Sequence, residues 1–200
     1  MYTYALSSFA LFAGISVASP ASPSATVTSS PSASSTAIPA DAKFGLMALR
    51  SASPIHFAQF DAAVRGILLD LPDQNATCAS GTADSATFYL KDGGLYLYTT
   101  NITQQLYVDA SGMGQGVFQY ATGNETLPTN AQTVTFALDE YGDLTMNGAG
   151  FFACPNSIEG AYSVWVDAGV ANPGGHTDCL GFSARAVEIT DPVSCDYTIE

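Results

Sequence analysis

Residues 86–100 read ATFYLKDGGLYLYTT, and this stretch decides the fold class. An F-x-L pattern leads into Asp92-Gly93-Gly94, an acidic and glycine-bearing segment that favours a tight turn. The following LYLYTT alternates apolar and more polar residues, which is typical of a half-buried strand. The stretch therefore predicts two antiparallel strands joined by a short turn.

Similar short runs fill the chain from Lys43 onward, separated by turn residues and without a convincing helical stripe. Roughly a dozen strands are predicted by these runs, among them IHFAQF at 55–60, QLYVDA at 105–110 and YSVWVD at 162–167. The low charged fraction of 12% also argues against surface helices. The sequence predicts a single compact all-β domain.

A faint internal repeat bears on the architecture of that domain. Residues 86–100 are followed by a second apolar hairpin at 104–123, and residues 133–148, TVTFALDEYGDLTMNG, are followed by another at 150–167. A more degenerate unit, SPIHFAQFDAAVRGILLDL at 53–71, precedes both. About four strands in each unit suit a pseudo-threefold β-trefoil-like barrel, which we prefer. A two-sheet β-sandwich is the runner-up, because unrelated hairpins with similar turns also resemble each other.

The N-terminal segment differs from the rest of the chain in composition. An apolar run from about Tyr4 to Val17, followed by small residues, predicts a secretory signal peptide at residues 1–18, although it lacks Lys and Arg. Residues 19–42 are rich in Ser, Thr and Pro and are predicted to be disordered and O-glycosylated. The all-β domain then spans residues 43–200, outside the cell and free of the membrane after cleavage.

Four cysteines and three sequons agree with that compartment. The cysteines, Cys78, Cys154, Cys179 and Cys195, are an even number and predict two disulfides. Three pairings can be drawn, and we prefer Cys154 with Cys179 and Cys78 with Cys195, although spacing does not decide it. Asn75, Asn101 and Asn124 begin sequons in turn-like segments and are predicted sites of N-glycosylation.

Charge and motifs restrict the function. The formal net charge of −13 disfavours nucleic acid and anionic membranes as partners. The glycine run SGMGQGVFQY at 111–120 places its third glycine at Gly116, one position too early for a dinucleotide fingerprint, and a strand-like segment follows it. We interpret it as a hairpin loop in which Gly112, Gly114 or Gly116 takes a positive φ, and we expect no cofactor.

Catalytic motifs are equally weak. His56 and His176 are the two histidines, and no G-x-S-x-G nucleophile elbow accompanies them. Asp139, Glu140 and Asp143 are clustered, and a glycosidase requires paired carboxylates, but acidic residues also favour turns. We expect no catalytic and no metal-binding residues.

Aromatic residues on the predicted strands suggest carbohydrate binding as an alternative to catalysis. Tyr96, Tyr98, Tyr107 and Trp165 are candidate carbohydrate contacts, because sugar rings stack on exposed aromatic rings beside amide and carboxylate groups. The simpler interpretation is that most of these side chains pack in the core or in cross-strand pairs.

Three segments resemble the fungal phialide cell-wall proteins, the PhiA-like family also known as IgE-binding surface antigens. They are KFGLMALRSASPIHFAQFDA at 43–62, GFFACP at 150–155 and DCLGFSA at 178–184. The resemblance implies a secreted, glycosylated wall protein of filamentous fungi, with links to conidium and phialide development and to allergy. It also supports pairing Cys154 with Cys179, and it supplies no catalytic residues.

These observations lead to one functional hypothesis and two alternatives. We expect a secreted, non-enzymatic structural glycoprotein of the cell wall or cell surface, whose partners are wall polysaccharide or mannoprotein. The alternatives are a lectin-like carbohydrate-binding or effector module and, less favoured, a glycan-active hydrolase.

Overall fold

The computed structural model describes residues 38, 39 and 41–200. The predicted signal peptide at 1–18 and most of the predicted Ser/Thr/Pro segment at 19–42 lie outside the described residues. Within the described part of the chain, no helix is long and apolar enough to cross a membrane.

Strands and two single-turn 3-10 helices make up the regular structure of residues 41–200, so the all-β prediction is confirmed. The 3-10 turns are Ile158–Gly160 and Pro173–Gly175. The fifteen strands are β1 (Phe44–Leu49), β2 (Phe60–Ala63), β3 (Gly66–Leu69), β4 (Thr77–Cys78), β5 (Phe88–Lys91), β6 (Gly94–Leu97), β7 (Gln104–Asp109), β8 (Val117–Thr122), β9 (Ala131–Gln132), β10 (Phe136–Leu138), β11 (Asp143–Met146), β12 (Phe151–Cys154), β13 (Tyr162–Val166), β14 (Leu180–Glu188) and β15 (Cys195–Asp196).

The hairpin expected at residues 86–100 is present as β5 and β6. Lys91 pairs with Gly94, so Asp92 and Gly93 form a two-residue loop. Both loop residues have positive φ, 50° and 75°, which matches the right-handed twist of the flanking strands. The DGG sequence thus fixes the turn, and β7 and β8 continue the same antiparallel meander.

The strands form a sandwich-like arrangement, and the preferred trefoil-like barrel is wrong. The meander β5–β8 continues through β3 and β13 to β12, β14, β11 and β10. The chain of strands returns from β14 to β1, but β1 meets β5 through a single residue pair, Phe44 with Phe88. That narrow contact leaves two packed layers rather than a closed barrel, as in the runner-up.

The repeat seen in the sequence is not a structural repeat, because the long strand β14 separates two hairpins in one of its units. In the unit at residues 86–123, β6 pairs with β7, so the two hairpins lie side by side. In the unit at residues 133–167, β11 and β12 do not pair with each other, because β14 pairs with both of them. Such an insertion depends on a segment about 30 residues further along the chain, which local patterns cannot reveal.

Phenylalanine side chains fill the space between the layers. Phe88 and Phe118 extend from the meander, and Phe151 and Phe182 extend from the strands around β14. Phe60 lies between them, with ring centroids 6.3 Å from Phe88 and 5.8 Å from Phe182. Phe118 and Phe151 also meet, at 5.6 Å. These edge and tilted contacts bring the two inner faces together into one core.

The predicted strand at 55–60 is a turn instead. Phe57 has a φ of 72° and donates its backbone N–H to the carbonyl of Ala48 at 2.8 Å. This left-handed residue interrupts the alternation, so Ile55 is buried while Phe57 is 60% exposed. The sequence pattern was wrong here because the hydrogen bond from Phe57 back to β1 holds the segment in a turn and overrides local strand propensity.

The described domain contains two disulfides, as the cysteine count predicted. Cys78 is joined to Cys195 across the small sheet formed by β4 and β15, and Cys154 is joined to Cys179. These are the pairs we preferred from spacing. The first bond fixes the C-terminal segment against the domain over a sequence separation of 117 residues.

The glycine run forms the loop between β7 and β8, which confirms the hairpin prediction. Gly116 is the glycine with positive φ, at 93°, whereas Gly112 and Gly114 stay outside that region. A side chain at Gly116 would approach the carbonyl of Val166 to within 2.0 Å. The requirement for glycine is therefore steric as well as conformational.

Candidate functional site

The meander presents a row of tyrosine and glutamine side chains on the face that is turned away from the core. In β7, Leu106 and Val108 are fully buried in the core, so Gln105 and Tyr107 lie on the opposite, outer face. Tyr96 pairs with Gln105, and Tyr89 pairs with Tyr96. The strand register therefore places aromatic and amide side chains in rows across β5, β6 and β7.

Three tyrosines and a lysine form the first cluster on this outer face. The rings of Tyr89 and Tyr96 are stacked, with centroids 5.2 Å apart and planes within 18°. Lys43 Nζ lies 4.7 Å from the centre of the Tyr89 ring and 5.3 Å from that of Tyr98. Partial burial, with a smaller contribution from Tyr96, raises the pKa of Tyr89. Half-buried aromatic faces held this way can stack on a flat apolar surface.

A groove of about 700 Å³ runs beside this cluster. Its apolar lining is provided by Leu90, Phe136 and Leu138, and its basic lining by Lys43 and Lys91. These are the two lysines of the chain. Two aspartates, Asp41 and Asp92, also line the groove, so its charges balance although the protein is acidic.

Tyr107 and Trp165 belong to a second cluster, centred on Gln119. Tyr107 pairs with Gln119 across β7 and β8, and its hydroxyl donates to Gln119 Oε1 at 2.8 Å. Trp165 of β13 pairs with Val117 of β8, two positions from Gln119. Trp165 is half-buried, whereas Tyr107 is only 8% exposed and offers little ring surface. Burial is the main cause of the raised pKa of Tyr107.

The loop before β14 supports Trp165. Its Nε1 donates to Ser163 Oγ at 3.0 Å, and the His176 ring meets it edge-on at 5.6 Å. Gln115, in the glycine loop, accepts the backbone N–H of Gly174 at 2.8 Å. The two loops are therefore joined around the tryptophan, and His176 contacts an aromatic ring rather than a nucleophile.

Three of the remaining catalytic candidates, His56, Asp139 and Asp143, have structural partners, and the fourth, Glu140, is exposed in the same turn as Asp139. His56 Nδ1 accepts the backbone N–H of Arg50 at 3.2 Å. Asp139 accepts the N–H groups of Tyr141 and Asp143 at 2.9 Å each, which shapes the turn that contains them. Asp143 forms an ion pair with Arg185 at 2.5 Å. In the described part of the chain, no cluster of three potential ligands is arranged to hold a metal.

One titratable group that sequence reasoning missed is Asp61. It lies in β2, is 4% exposed and accepts the backbone N–H of Leu71 at 3.0 Å. Burial raises its pKa to about 7, against a smaller opposite effect of that hydrogen bond. Nothing in the sequence FDAAVRG at 60–66 predicted that its acidic residue would be buried. Asp61 lines neither the groove beside Tyr89 nor the cavity beside Trp165, so we assign it to stability rather than to the site.

The three sequons are brought together at one end of the domain. Asn75, Asn101 and Asn124 are all exposed. Asp196 accepts the side-chain amide of Asn101 at 2.6 Å and pairs with Thr77, the last residue of the Asn75 sequon. The turn that holds Asn124 is bonded to the Asn101 turn through Gly123 and Thr103. The turns that follow β5 and β7 lie at the opposite end of the meander.

Comparison with known proteins identifies the family. The profile of the PhiA-like secreted proteins matches residues 44–198. A protein named cell wall protein phiA from Emericella nidulans is 44% identical over 194 residues, covering 96% of this chain and 98% of its own length. Its namesake in Aspergillus fumigatus is 47% identical over 161 residues, covering 80% and 87%.

A third protein of that name, from Arthroderma benhamiae, is 40% identical over 149 residues, covering 70% of this chain and 80% of its own length. No solved structure matches the chain significantly. The family profile covers almost all of the described domain, and the relatives cover most of the chain. The chain therefore belongs to the PhiA-like secreted protein family, as the resemblance implied.

Proposed function

We propose that this protein is a non-enzymatic component of the fungal cell wall that holds wall polysaccharide on its outer aromatic face. The family is secreted, and the relatives carry the name cell wall protein. The register of the meander carries the proposal, because it sets Tyr89 and Tyr96 on one face beside Tyr98.

The chemistry of that face suits a neutral polymer. Stacked tyrosines offer flat apolar surface, and the neighbouring amides of Gln105 and Gln119 offer donors and acceptors for hydroxyl groups. A net charge of −13 repels polyanions over a distance of about one Debye length, roughly 8 Å at physiological salt. An uncharged polysaccharide meets no such barrier.

Glycosylation complements this arrangement. Glycans on Asn75, Asn101 and Asn124 would cover one end of the domain, around β15, and leave the outer face of the meander open. Within the wall, bulky sugars at that end would solvate the protein while the aromatic face contacts the matrix. We extend the proposal to the developing spore and its phialide, where a wall protein of this kind would act.

The proposal is tested by retention on purified fungal walls. Two aromatic contacts are worth about 1–3 kcal/mol together, so Tyr89→Ala combined with Tyr96→Ala should weaken retention about tenfold. Tyr141→Ala is the matched control, because Tyr141 is 63% exposed but lies in the β10–β11 turn. Release of the unmodified protein by mild buffer, or equal retention of all variants, would remove the proposal.

A second candidate function is lectin-like recognition of a defined soluble glycan. It is favoured by the cavity of about 190 Å³ that Trp165 and Gln119 border. Screening against a panel of immobilised glycans distinguishes it from general retention in the wall: one saturable ligand supports recognition, and a blank panel contradicts it.

A further inference from the structure

A cavity opens on the outer face where three strands meet. Trp165 of β13 pairs with Val117 of β8, whereas Ser163 of β13 pairs with Leu68 of β3. The third side is closed by the pairing of β3 with β8 at Gly66 and Gln119. Because β13 changes partner at this junction, the ladder opens and leaves a cavity of about 190 Å³.

The lining of this cavity contains no charged residue, although the chain carries eighteen acidic ones. Its apolar wall includes Val64 and Ile158, which are 47% and 42% exposed. Beneath them lies a small cluster of buried side chains that includes Ala63 and Leu68. An ionic group entering this cavity would lose hydration without gaining a counter-charge, so the site favours a neutral ligand.

Gln119 supplies the directional group. Its Oε1 accepts the Tyr107 hydroxyl at 2.8 Å, which fixes the orientation of the amide. Among the described residues, the Gln119 side chain has no further hydrogen bond, so its Nε2 hydrogens are available to a ligand. Ser163 Oγ and the Trp165 ring lie on the β13 side of the same cavity.

We propose that this cavity selects an N-acetylated hexosamine unit of a wall polysaccharide. The acetamido carbonyl accepts from Gln119 Nε2, its methyl group packs against Val64 and Ile158, and the sugar ring lies beside Trp165. The volume suits one sugar substituent rather than a larger ligand, since pockets for drug-sized molecules begin at about 300 Å³. The inference rests on the proposed function, because it names the unit that the outer face recognises.

The test measures the affinity of the full domain for soluble oligosaccharides of equal length built from N-acetylglucosamine, glucosamine or glucose. The N-acetylated oligomer should bind about tenfold more tightly than the glucose oligomer, since one hydrogen bond and one buried methyl group distinguish them. Raised ionic strength removes the nonspecific attraction of cationic glucosamine oligomers to the acidic protein.

Gln119→Glu keeps the acceptor for Tyr107 and replaces the donor with a carboxylate that repels the acetamido carbonyl. It should abolish the tenfold preference. Gln132→Glu is the matched control, because Gln132 is exposed, lies outside the cavity lining and, like Gln119, uses its Oε1 as an acceptor that glutamate keeps. Fluorescence of Trp165 and the thermal midpoint check that both variants are folded.

The outcomes separate this inference from the proposed function. Equal affinities for the three oligomers, no binding of any of them, or an unchanged preference in Gln119→Glu overturn the acetamido site. If walls still retain the protein through Tyr89 and Tyr96 in that case, the proposed function survives. Loss of preference in both Gln119→Glu and Gln132→Glu also overturns the assignment, because added charge would then explain the effect.

Discussion

The buried carboxyl of Asp61 predicts an unusual dependence of stability on pH. The side chain is 4% exposed, and its Oδ2 accepts the N–H of Leu71. Its pKa is raised from 3.8 to about 7, mainly by burial and to a smaller extent by the nearby charge of Asp70. Asp61→Asn keeps an oxygen that can accept the Leu71 N–H and removes the ionisation.

The sign follows from the raised pKa in the folded state. Below pH 3.8 the carboxyl is protonated in the folded and unfolded states alike, so its stabilising contribution is complete. As the pH rises toward about 7, the folded state retains the proton that the unfolded state has released, and stability falls by about 1.4 kcal/mol for each pH unit. The total loss is of the order of 4 kcal/mol for a pKa that rises from 3.8 to about 7 on folding.

Urea unfolding with intact disulfides, followed through the single tryptophan, measures this effect. At about pH 4 the unmodified protein and Asp61→Asn should have similar stability, and at about pH 8 the variant should be more stable by up to roughly 4 kcal/mol. Asp70→Asn, at an exposed position, should change little. Parallel pH profiles for Asp61→Asn and the unmodified protein would refute the reasoning.

Three further perturbations test the fold. Gln104→Leu leaves the two backbone groups of Tyr197 that it now bonds without partners, and urea unfolding should show a loss of about 2–5 kcal/mol; Gln105→Leu should cost far less. Gly116→Ala should lower the thermal midpoint through a loss of about 2 kcal/mol or more, whereas Gly112→Ala, with open space around it, should stay within about 0.5 kcal/mol. Replacing Cys78 and Cys195 by alanine should cost about 4–5 kcal/mol, and a loss no larger than that for the Cys154–Cys179 pair would contradict the dependence on loop length.

Local patterns were sufficient where the structure depends on neighbouring residues. The hairpin at Asp92 and Gly93 forms as predicted, because its turn conformation is available to those residues and the flanking strands pair with each other. The loop that ends at Gly116 was likewise recognised as a hairpin connection. In both places the pairing partner lies within a few residues.

Only part of the candidate site could be predicted from local sequence patterns. Tyr96, Tyr98, Tyr107 and Trp165 were selected as aromatic residues on strands, but alternation alone does not tell an outer face from an inner one. The near burial of Tyr107, the role of Gln119 as its partner and the contribution of Tyr89 depend on the register of β5–β8. Asp61 gave no sequence signal, because its burial results from packing around β2.

The sequence by itself determined the all-β class, the meander hairpins, the even cysteine count and the family. Each of these depends on residue type or on contacts between neighbouring segments. The tertiary structure decided that the layers form a sandwich, that β14 separates β11 from β12, and that β13 changes partner to open a cavity beside Trp165. These features depend on pairings between residues far apart in the chain, whose free energy comes from the shared Phe core and not from any local pattern.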